Sequence, residues 1–119
     1  MHRILVVEDD PDIRQVLGEL LAGEGFEVVE AGCGNEGLRR LHDERFDLVV
    51  SDYSLPGRDG TAMLREAARD GRLQDGRAIL MTAHPRPVVD AGVKLLRKPL
   101  DLDELLGEIA AAVGPPAWR

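Results

Sequence analysis

A chain of 119 residues suits one domain. Hydrophobic residues make up 44% and aromatics only 3%, so the core must be aliphatic. A formal charge of −7 is a poor match for nucleic-acid phosphates, which need clustered Lys and Arg, and a single cysteine, Cys33, excludes an internal disulfide.

The first apolar run, Ile4-Leu5-Val6-Val7, reads as a buried strand. It is too short for a signal peptide or a membrane span, so the expected location is cytoplasmic with no membrane contact. Glu8-Asp9-Asp10 follows, and then Pro11. Proline is favoured at the first helical position and Asp just before it, so Asp10 is the expected helix cap. Glu8 and Asp9 are left at the strand end without a local structural duty. Ile13, Val16, Leu17, Leu20 and Leu21 recur at three- and four-residue spacing and predict an amphipathic helix. Gly23 and Gly25 end that helix.

Phe26 to Glu30 is a second strand, less apolar and nearer an edge. A loop at Gly32–Asn35 leads to a second helix over 36–43. Residues 47–52 form a third strand, with Leu48, Val49 and Val50 consecutive, as in a strand covered on both faces. It delivers Asp52 to a turn punctuated by Pro56-Gly57 and Asp59-Gly60. A third helix spans 61–70, a fourth strand spans 77–82 and ends in Thr82, and a fifth spans 93–98 and ends in Lys98 before Pro99. Asp101 or Asp103 caps a final helix that Gly114-Pro115-Pro116 stops, and residues 115–119 form a tail.

Alternating strands and helices imply a parallel sheet with helices on both faces. Strands one, three, four and five then bring Glu8, Asp9, Asp52, Thr82 and Lys98 to one edge. Each alone has a plain reading as a turn or strand exit; their coincidence at strand ends points to a site. Three carboxylates held together repel one another unless a cation compensates. Oxygen-only ligands without His or Cys favour Mg²⁺, or Mn²⁺ in its place. Asp52 could then attack a phosphoryl group, with Lys98 and the Thr82 hydroxyl facing the transferred oxygens.

These motifs together, with Met81-Thr82-Ala83 and Lys98-Pro99, resemble the receiver domain of two-component response regulators over residues 3 to 113. The resemblance implies a receiver domain over 1–114 with a doubly wound, five-stranded parallel sheet of order 2-1-3-4-5. It implies that Asp52 accepts phosphate from a sensor histidine kinase or a histidine phosphotransfer protein. It implies that Glu8, Asp9, Asp52 and the backbone carbonyl of Ser54 hold Mg²⁺, that Thr82 and Lys98 contact the phosphate, and it allows a cis peptide at Lys98-Pro99. No direct nucleic-acid contact is expected.

Three places depart from the family pattern. Leu95 stands where the family usually has Tyr or Phe. The interval from Thr82 to Lys98 is short, and Pro85 and Pro87 resist helix formation, which predicts a shortened fourth helix and a mobile segment over 84–92. Tyr53, Ser54 and His84 occupy positions that line the approach of water. The short fourth region resembles receivers of hybrid histidine kinases more than those of DNA-binding regulators. Two other readings are a pseudo-receiver that works without phosphorylation and a Mg²⁺-dependent phosphohydrolase. The first usually loses the acidic pair, the acceptor or the lysine, all present here. The second wants a second Asp where Ser54 stands.

Overall fold

The computed structural model describes residues 1–114. Nine elements follow in chain order: β1 (Arg3–Val7), α1 (Pro11–Gly23), β2 (Glu27–Ala31), α2 (Gly34–Asp43), β3 (Leu48–Asp52), α3 (Gly60–Arg69), β4 (Ala78–Thr82), β5 (Val93–Arg97) and α4 (Leu102–Val113). All four strand pairings are parallel, and the order is β2-β1-β3-β4-β5. The predicted doubly wound sheet is therefore the observed one.

The aliphatic runs explain why β1, β3 and β4 sit centrally. Successive side chains on a strand point to opposite faces, so an unbroken apolar run fills two cores at once. Ile4 and Val6 join Leu17, Leu21, Leu105 and Ile109 beneath α1 and α4. Leu5 and Val7 join Leu38, Leu41, Met63 and Leu64 beneath α2 and α3. β2, with Glu27 and Glu30 exposed, is an edge strand as expected.

The helix starts follow capping chemistry. The Asp10 carboxylate accepts from the amides of Asp12 and Ile13 at 2.9 and 3.3 Å. Asp59 accepts from Ala62 N–H at 2.7 Å, and Asp101, rather than Asp103, accepts from Glu104 N–H at 3.1 Å. α2 begins earlier than predicted because the Cys33 thiol takes the capping role, 3.4 Å from Glu36 N.

Within the apolar stripe of α1, Leu17 and Leu21 are buried, whereas Ile13 and Val16 are 44% and 60% exposed. One expectation is corrected. The shortened fourth helix is absent: residues 83–92 contain no helical turn. Pro85 and Pro87 remove two amide donors and disfavour helical backbone at the residues before them, and Gly92 closes the segment with φ +87°. The predicted tail at 115–119 lies outside the described residues.

The crossover is instead held by side chains. Thr61 Oγ1 donates to the Val88 carbonyl at 2.6 Å, and Val88 N–H donates to the Tyr53 hydroxyl at 3.1 Å. Arg65 grips Asp90 through two bonds of 2.7 and 2.8 Å. Arg97 donates to the His84 carbonyl.

Candidate functional site

The parallel sheet brings five predicted residues to one rim. The β1 ladder runs one bond past its strand, through Glu8 N–H to the Ala31 carbonyl at 3.1 Å. Lys98 N–H likewise donates to the Thr82 carbonyl at 2.8 Å. Glu8, Asp52 and Thr82 are buried, and Asp9 is exposed. Glu8, Asp9 and Asp52 each offer one oxygen, all within 4.8 Å of one another.

Lys98 Nζ stands 3.0 Å from Asp52 Oδ1 and 3.9 Å from Glu8 Oε1. A single ammonium thus faces two buried carboxylates. Glu8 shows the imbalance: its pKa is raised to about 7, first by burial, then by the neighbouring Asp9 and Asp52 carboxyls. The Asp10 amide, donating to Glu8 Oε2 at 3.2 Å, and the Lys98 charge pull the other way. Glu8 Oε1 is buried without any hydrogen-bond partner. An orphaned buried oxygen beside two other carboxylates is the donor chemistry that a hard divalent cation takes, so the residues fit Mg²⁺.

Thr82 Oγ1 accepts from His84 N–H at 2.8 Å, which leaves its own hydroxyl proton free to donate into the rim. The lysine enters from a loop with a cis Lys98-Pro99 peptide bond. Gly60 lets the start of α3 pack closely against the end of β3. A Cβ there would lie 2.6 Å from the Asp52 carbonyl and 2.8 Å from Leu80 Cδ2. Ser54 is exposed two residues beyond Asp52, and the rings of Tyr53 and His84 pack in a tilted contact, centroids 5.6 Å apart. Leu95 is half-buried against the α2–α3 core, beside Leu80 in register.

Sequence reasoning missed the roles of Thr61, Arg65 and the Tyr53 hydroxyl. Their partners lie in the irregular crossover, where no periodicity predicts a contact; the only signal was a threonine at the buried start of a helix. It also missed Arg14, whose Nη1 donates to the Glu8 carbonyl at 2.8 Å and steadies the end of β1.

The family model for the response regulator receiver domain matches residues 4–110. The transcriptional regulatory protein GlrR of Escherichia coli K12 is 39% identical over 98% of this chain and 28% of its own length. The DNA-binding transcriptional regulator NtrC of Salmonella typhimurium is 35% identical over 92% of this chain and 24% of its own. This chain therefore spans about a quarter of the length of these two curated relatives. Among solved structures, the receiver domain of the hybrid histidine kinase CckA superposes with a TM-score of 0.81 at 33% identity, over 93% of this chain and 98% of that one. The response regulator TrrA of Thermotoga maritima, solved with Mg²⁺ and BeF, gives 0.83 at 33% over 94% and 99%. The match runs through all five strands and the acidic rim, and on it the chain belongs to the response regulator receiver domain family.

Proposed function

We propose that this domain receives a phosphoryl group on Asp52 and passes the signal on as a conformational change. The observation that carries the reading is the pairing of a buried Asp52 with Lys98 Nζ at 3.0 Å, at a rim that also holds Glu8, Asp9 and Thr82. A carboxylate oxygen of Asp52 attacks phosphorus, the bond from phosphorus to the donor's imidazole nitrogen breaks, and the imidazole leaves as the neutral base after taking a proton from solvent. Lys98 exchanges its contact with Asp52 for one with a phosphoryl oxygen, and the Thr82 hydroxyl donates to another. Glu8, Asp9, Asp52 and the Ser54 carbonyl would hold Mg²⁺, which when bound neutralises the acidic cluster and the incoming phosphate. The donor is a sensor histidine kinase or a histidine phosphotransfer protein. No helix among the described residues is long and apolar enough to cross a membrane, which fits a donor met in the cytoplasm.

The exposed Ile13 and Val16 support a docking face for that donor. They adjoin a groove that runs past Leu17 and Leu100 to Lys98 and Glu8. Apolar side chains left in water beside a reactive rim suit a helical partner that presents a histidine.

Incubation with acetyl phosphate and Mg²⁺ tests the acceptor. Intact mass should rise by one phosphate, and Asp52→Asn should abolish the gain. Retained incorporation in Asp52→Asn would refute the assignment.

A further inference from the structure

The opposite edge of the sheet carries a second charged feature with no part in the reaction above. A cavity of about 270 Å³ opens between the α2–β3 and α3–β4 loops, lined by Arg45, Phe46, Asp47, Arg72, Gln74 and Arg77. Three arginines meet there in a chain whose net charge is −7. Among the described residues most arginines stand within ion-pair distance of a carboxylate, as Arg3, Arg14, Arg58 and Arg65 do. Arg45, Arg72 and Arg77 have no such partner.

Part of their bonding capacity is structural. Arg72 Nε and Nη2 donate to the carbonyls of Leu41 and Glu44 at 2.7 and 3.3 Å, closing the end of α2. Arg77 Nη1 donates to the Asp47 carbonyl at 3.3 Å. These bonds pin the two guanidinium groups in place but use carbonyls, which carry no net charge. Among the described residues, Arg72 Nη1 and Arg77 Nε and Nη2 remain uncommitted, and the exposed Arg45 side chain makes no hydrogen bond or ion pair. The one acid in the wall, Asp47, already accepts from Arg3 N–H at 2.7 Å. The cavity thus holds three fork-shaped donors, two of them pinned by the fold, against one carboxylate.

We infer that this cavity is an anion site for a small phosphate-bearing ligand, either free phosphate or a phosphate monoester. A planar guanidinium presents paired donors that match phosphate oxygens, and two of the three here are held by the fold. The volume lies below the roughly 300 Å³ at which sites for drug-sized ligands begin, so a single phosphate with a short organic group fits better than a nucleotide. A bound anion bridges the loops that precede β3 and β4, and so stabilises the two strands that carry Asp52 and Thr82.

The test is a titration of the Mg²⁺-free protein with inorganic phosphate and, separately, glycerol phosphate, at constant low ionic strength set with chloride, followed by amide chemical shifts. Saturable shifts at Arg72, Gln74 and Arg77 with a millimolar Kd are expected. Arg45→Gln, which removes no internal bond, should weaken binding at least threefold, and Arg77→Gln at least fivefold. Tighter binding of glycerol phosphate assigns the site to monoesters, and tighter binding of inorganic phosphate assigns it to the free ion. Equal shifts with chloride alone, shifts centred on Thr82 and Lys98 instead, or unchanged affinity in both variants would overturn the inference.

Discussion

Glu8 concentrates the electrostatic tension of the site. Its folded pKa, near 7, lies above the ordinary value of 4.5. Without metal, the stability that it contributes is fully present below the ordinary value and is lost as pH rises through about 7, because the folded state then gives up a proton it held more tightly than the unfolded chain. Metal-free protein should therefore show a falling unfolding midpoint between pH 5 and pH 8. Glu8→Gln should flatten that slope and stabilise the metal-free protein at pH 8 by roughly 1–3 kcal/mol. Millimolar Mg²⁺ should flatten it in the wild type alone. A slope indifferent to both changes would contradict the site as drawn. Gly60 supplies a second residue-scale prediction. The methyl group of Gly60→Ala would meet the Asp52 carbonyl, so the variant should lose roughly 1–3 kcal/mol of stability, as overpacked sites do, and phosphorylate more slowly. Denaturant melts and the mass assay measure both. At this scale the sequence was informative where a side chain sits at the end of a regular strand. The placement of Glu8, Asp52, Thr82 and Lys98 on one rim was legible for that reason. Thr61 and Arg14 were not, because each acts through a backbone group that spacing does not locate.

Among the elements, the crossover over 83–92 contains no helix. Prolines announced this absence, but not what replaces the helix. Its hydrogen bonds are made by side chains: His84 N–H to Thr82, Arg86 N–H to His84 Nδ1 at 3.0 Å, and Val88 N–H to Tyr53. A segment held by such single contacts belongs to the low-stability end of a structure. Amides 84–90 should exchange faster than those of β4 and β5, and Tyr53→Phe should speed the Val88 amide further. Thr82 is already bonded to His84, so a phosphoryl group drawing on the Thr82 hydroxyl bears directly on this segment. Beryllofluoride with Mg²⁺ should slow exchange there, and no change would rule the segment out as the conformational readout. α1 makes the complementary case. Its apolar stripe buries Leu17 and Leu21 but leaves Val16 exposed. Val16→Asp should slow phosphotransfer from a histidine kinase while leaving the acetyl phosphate reaction unchanged; equal loss in both assays would place Val16 in the fold rather than at a docking face.

For the molecule as a whole, strand–helix alternation predicts a parallel sheet with helices on both faces, and the order β2-β1-β3-β4-β5 is the one that the resemblance to receiver domains implies. Its consequence is a division of labour between the two edges. One edge gathers carboxylates around a single lysine; the other gathers three arginines around one carboxylate, Asp47. The central claim is that chemistry occurs at one atom group on the first edge, the Asp52 carboxylate. The most direct measurement is to phosphorylate the protein with acetyl phosphate and Mg²⁺, reduce the acyl phosphate with borohydride, and map the peptides by mass. Conversion of residue 52 to homoserine, and of no other acid, is the predicted result. Conversion at Glu8, Asp9 or Asp59 with residue 52 untouched would contradict it.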